Sequence, residues 1–95
     1  MLSKIPLQLE KVKKEDVDKE ILRAGIIAEL DAVSLYEQMA AMARKDAIRK
    51  ILLDIAREEK THVGEFQALL LQEDAEQAEE LRAGEREVRE KTGGR

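Results

Sequence analysis

The sequence predicts an all-α protein: an antiparallel two-helix hairpin plus a short C-terminal helix, dimerising into a four-helix bundle. Three observations carry that prediction. The 95 residues are 43% hydrophobic and 40% charged, with one Phe, one Tyr and no Trp. Such a balance of Ala, Leu, Ile, Glu, Lys and Arg suits long helices better than a sheet. Apolar residues recur at helical period along two long stretches, and the joint between them is only Ala43-Arg44-Lys45-Asp46. Two helices joined by so short a turn must lie antiparallel.

The elements follow in chain order. Residues 1–14 read as an extended arm, because Pro6 discourages helix before it and Lys11, Lys13 and Lys14 favour water. A first helix is expected from Glu15 to Ala43, with Asp16 and Asp18 near its positive end. The turn has no Gly or Pro and is read from a change of phase. Arg44 and Lys45 finishing one helix and Asp46 opening the next agree with the helix dipoles. The second helix runs to Gln72, so residues 15–72 form the hairpin. Residues 73–95 form a polar third unit, a helix from Asp74 to Glu90 that opens on the capping-box-like Asp74-Ala75-Glu76-Gln77. Gly93 and Gly94 end it.

Composition excludes several function classes. Cysteine is absent, so disulfides and thiolate metal sites are ruled out. Net charge is −4 with both signs interspersed, and no basic stripe marks a nucleic-acid surface. No stretch is long and apolar enough for a membrane span or a signal peptide, so a soluble cytoplasmic protein is expected. The lack of Asn beside abundant Lys and Glu points toward a thermophile.

Placing each residue about 100° after the last shows what the two apolar stripes contain. In the second helix Ile48, Ile51, Leu52, Ile55, Phe66, Leu69 and Leu70 cluster on one half of the circumference. Glu59 falls about 20° from the centre of that cluster and His62 about 40°, whereas Glu58 lies about 80° off. In the first helix Leu22, Gly25, Ile26, Ala32, Val33, Tyr36, Ala40 and Ala43 make a stripe with Glu29 near its middle. The small neighbours Gly25, Ala32 and Ala40 suggest free space beside Glu29. Ile27, Leu30, Leu35 and Met42 lie off that stripe, and a helix apolar nearly all round needs partners on more than one side.

A single His on an apolar face is more often a hydrogen-bonded core residue than a ligand, and a single buried Glu is often paired with Arg or Lys. Here three such residues coincide, and neither stripe supplies an inward Lys or Arg. A carboxylate so placed is costly unless paired or bound to a metal. Carboxylate-bridged di-metal sites in four-helix bundles take a Glu from each of two helices and Glu-x-x-His from each of the other two. This chain holds half of that set on half of a bundle. Two chains about a two-fold axis complete it, with donors suited to iron or manganese.

The segments AELDAVSLYEQMA and ILLDIAREEKTHVGEFQALL resemble the ferritin-like superfamily, specifically the encapsulated ferritins. In that family two-helix protomers pair into a four-helix ferroxidase centre. The resemblance implies Glu29, Glu59 and His62 as iron ligands and catalytic residues, with two Fe per dimer and Mn, Zn or Ca as substitutes. It implies a higher ring-like oligomer such as a decamer, Fe(II) and dioxygen as substrates, and an encapsulin nanocompartment as the setting for iron storage. Asp31 matches a family carboxylate near the metal entrance, but Ala28 stands where some members have a second acid. Leu35 replaces an aromatic residue found in some members. Tyr36 matches a family tyrosine and is either a hydrogen-bond partner of a ligand carboxylate or a core tyrosine. The ending REVREKTGGR has no recognised Leu-rich sorting peptide, which suits a domain fused to the shell protein, as in some archaeal members. Two other readings remain: a rubrerythrin-like di-iron peroxidase, and a metal-free helical oligomerisation module.

Overall fold

The computed structural model describes residues 8–94. Pro6 and the first half of the expected arm lie outside those residues. From residue 8 the chain makes two single-turn 3-10 helices, Leu9–Lys11 and Lys14–Asp16, rather than a fully extended arm. The second turn leads directly into helix α1, Val17–Met42, so the α-helix starts two residues after Glu15. A tight 3-10 turn is a common entrance to an α-helix. Helix α2 spans Asp46–Glu73 and helix α3 spans Ala75–Thr92. No strand occurs among the described residues.

The hairpin turn works without glycine. Ala43 (φ −67°, ψ 134°) and Lys45 (φ −87°, ψ 131°) are both extended, which ends α1 and reverses the chain. The free carbonyl at the end of α1 is taken by the other helix: Arg49 Nη2 donates to Ala43 O at 2.6 Å. The same guanidinium reaches Asp46 Oδ1 at 3.3 Å. The first turn of α2 therefore caps the last turn of α1, a role the sequence assigns to Arg44 and Lys45.

Helices α1 and α2 pack against each other along their length. Ala40 and Ala56 are each 1% exposed, and small residues there let the two backbones approach. Leu22 and Leu70 complete the buried apolar set among the described residues. Many larger apolar side chains stay open to solvent on both flanks of the hairpin. Ile21 and Met39 sit about 80° to one side of Glu29, Leu30 about 100° to the other, and all three are exposed. On α2, Ile51 and Leu69 are exposed on one flank and Leu53 on the other.

Helix α3 has no buried residue and meets α2 only slightly. Asp74 holds it. One carboxylate oxygen accepts from the Gln77 backbone N–H at 3.0 Å, the N-cap bond expected from the capping motif. The other accepts from Arg23 Nη2 of α1 at 2.9 Å. Gly93, at φ 92°, adopts the left-handed conformation that terminates the helix.

Arg49→Ala should lower hairpin stability by about 1 kcal/mol, read from denaturant midpoints at fixed protein concentration. The Asp74 carboxyl is held below the ordinary aspartate range chiefly by the Gln77 N–H; burial opposes this, and Lys19 and Arg23 add to the lowering. A group lowered in the folded state contributes stability above its unfolded pKa of about 3.9, and that contribution disappears as pH falls through the folded value. Amide exchange in α3 should therefore rise below about pH 4 while α1 and α2 stay protected. Asp74→Ala should produce the same selective exchange at neutral pH.

Candidate metal centre

Glu29 stands near the middle of α1, and Glu59 and His62 near the middle of α2. The last two are three residues apart, so they share one face of the helix. The antiparallel packing brings Glu29 opposite them. His62 Nδ1 is 3.4 Å from Glu59 Oε2 and 3.5 Å from Glu29 Oε2. One donor atom from each of the three residues lies within 4.8 Å of the others. The two carboxylate side chains are 19% exposed and the imidazole 44%, so the cluster is closed by the hairpin on one side and opens on the other.

The polar accounting is incomplete. Glu29 Oε2 is buried and has no hydrogen-bond partner; His62 Nδ1 lies at ion-pair distance from it but without hydrogen-bond alignment. A single imidazole nitrogen facing two carboxylates can donate to only one of them at a time. Among the described residues no Lys or Arg forms an ion pair with Glu29 or Glu59. The nearby cations are engaged elsewhere: Lys60 with Glu37 at 3.0 Å across the outer flank, and Arg57 with Asp54. A cation at the centre would satisfy all three donors. Ligand atoms about 2.1 Å from one ion are separated from each other by roughly 3–4 Å, and the two imidazole–carboxylate separations fall in that range. The residues present therefore fit a metal ion.

Other residues singled out in the sequence fall outside this cluster. Glu58 is exposed, as its angle on the stripe indicates. Asp31 lies about 160° around α1 from Glu29 and is not one of the clustered donors. Tyr36 is half-buried on the Glu29 stripe, and its hydroxyl makes no hydrogen bond to Glu29 or Glu59. The expected space beside Gly25 is filled: a Cβ there would meet three ring atoms of Phe66, each at 3.2 Å. Helical angles give the stripe but not the register across the seam, so this contact was hidden in the sequence.

Comparison with known proteins agrees with the fold. The Rubrerythrin family profile matches residues 20–92. A ferritin-like-encapsulin shell fusion protein of Pyrococcus furiosus is 57% identical over 96 aligned residues, covering 98% of this chain. The chain spans only 28% of that relative's length. The crystal structure of the encapsulated ferritin domain from Pyrococcus furiosus superposes with a TM-score of 0.83 at 55% identity, covering 98% of this chain and 97% of that one. By profile, identity and fold together, the chain belongs to the Rubrerythrin family of ferritin-like proteins, among the encapsulated ferritins.

Proposed function

We propose that the hairpin is half of a ferroxidase centre, completed when two chains pair and bring two Glu29–Glu59–His62 sets together. The observation that carries this reading is the buried Glu29 oxygen, left without a hydrogen bond beside a second carboxylate and an imidazole. Pairing about a two-fold axis supplies the four carboxylates and two imidazoles that a di-metal bundle site requires. It also covers the exposed Ile51 and Leu69 flank on which His62 opens.

Fe(II) is the substrate. Glu29 and Glu59 bind it and can bridge to the neighbouring ion, tolerating the rise in charge from Fe(II) to Fe(III). His62 holds a terminal position through the nitrogen that faces both carboxylates. Two Fe(II) would each give one electron to one dioxygen, which with two protons from solvent becomes hydrogen peroxide, and the ferric product would leave for mineral storage. Asp31 is proposed to draw iron toward the site, and Tyr36 to support a ligand carboxylate once a partner chain closes the site. Paired chains assemble further into a ring such as a decamer, using the opposite flank of α1 and helix α3. The shell-fused relative supports placement inside an encapsulin compartment, and that compartment is proposed to be cytoplasmic.

The test is metal analysis together with aerobic Fe(II) oxidation. About one iron per chain is expected. Glu59→Ala or Glu29→Ala should lose more than the roughly 10- to 100-fold typical of changes outside the ligand shell. Iron bound elsewhere, or oxidation unchanged in both variants, would end this reading. Metal should also stabilise the paired form by mass action, by about 2.7 kcal/mol at a hundredfold excess over Kd. A dimer whose melting ignores Fe(II) or Mn(II) would speak for the metal-free oligomerisation module instead. The Rubrerythrin match favours a second reading, in which peroxide is the oxidant. Turnover that requires peroxide and an added reductant, with little under dioxygen, would select it.

A further inference from the structure

We infer that Gly25 and Phe66 form a positioning contact that sets the distance between Glu29 on α1 and the Glu59–His62 pair on α2. The inference rests on the metal reading above and concerns two residues outside the ligand set. Gly25 lies one turn before Glu29, and Phe66 lies one turn after His62. Because the helices are antiparallel, these two meet in the layer directly beside the ligands, about 6 Å along the seam.

The contact is tight and has a defined shape. Cδ1, Cδ2 and Cε1 of the Phe66 ring are all 3.2 Å from the point a Gly25 Cβ would occupy. Three ring atoms at one distance mean that the ring presents its face to the α1 backbone, not its edge. Glycine inside a helix is unfavourable relative to alanine, so its position here calls for a reason. The other two helical glycines give a contrast: at Gly64 and Gly84 nothing lies within 4 Å of an added Cβ. Gly25 is the helical glycine at which a methyl group would force its neighbour back by a few tenths of an ångström. The neighbour is a rigid ring seated between the two helices, so the displacement passes into the seam. Metal ligands must be held to within about 0.5 Å, so a shift of that size bears on the adjacent layer. The flat ring on bare backbone acts as a spacer, and its thickness fixes how far Glu29 stands from its two partners.

The test uses Co(II) binding to the assembled protein, read by affinity and by the visible spectrum, which reports ligand geometry independently of oxidation activity. Gly25→Ala should bind Co(II) about tenfold more weakly and with an altered spectrum, while helix content by circular dichroism stays at or above wild type. Phe66→Leu, which removes the flat ring and keeps an apolar side chain, should shift both readings too, and it decides the matter if Gly25→Ala does not assemble. The double variant Gly25→Ala/Phe66→Leu should bind better than Gly25→Ala alone, because a flexible leucine can yield to the new methyl. Wild-type Co(II) affinity and spectrum in both single variants would overturn the positioning role and leave the metal site standing. A double variant no better than Gly25→Ala would also overturn it. Wild-type protein that takes up no Co(II) would overturn the metal reading beneath it.

Discussion

Two carboxylates share a helix seam with a single imidazole and no cationic side chain, and the other features of the hairpin can be ordered around that constraint. Removing a carboxylate from water costs several kcal/mol unless it is compensated, against a total stability of roughly 5–15 kcal/mol for an ordinary domain. Glu29 carries this burden most directly, since one of its oxygens is both buried and unbonded. The tension is localised: His62 opens the cluster on one flank only, the flank that also exposes Ile51 and Leu69. Charge needing a counter-ion and apolar surface needing cover thus lie side by side.

The apolar arrangement is consistent with this. The interior of the single hairpin is small, with two leucines and two alanines as its buried apolar residues among those described. Ala40 and Ala56 lie buried between the helices and Gly25 admits the Phe66 ring, while many of the larger apolar side chains lie on the flanks. A seam packed with large residues would hold the helices too far apart for donors on opposite helices to share one ion. The exposed flanks are therefore the geometric counterpart of a narrow interior that holds three candidate donors.

Much of this was legible in the sequence because it depends on angle around a single helix. Angle separated Glu59 from Glu58, placed Glu29 on the inner stripe and marked α1 as apolar on more than one side. The N-cap at Asp74 was legible because a cap is a local pattern. What escaped depends on register or on distant partners. Gly25 looked like spare room until Phe66 was placed opposite it. Arg49 closes α1 from the other helix, where the dipole argument pointed to Arg44 and Lys45. The bond between Arg23 and Asp74 spans 51 positions, and no local motif announces it. Between residues 8 and 14 a lysine-rich stretch without apolar period reads as extended, although 3-10 turns satisfy its backbone equally well.

The attachment of α3 has a mechanical meaning. A helix with no buried residue, fastened through one carboxylate at its first turn, transmits little torque to what precedes it. The junction at Asp74 lies about 22 Å along α2 from Glu59, so the spacing of the donors is set by α1 and α2 and not by α3. The molecule thus separates an optical bench, the α1–α2 seam that carries the donors, from an appended helix that buries nothing of its own.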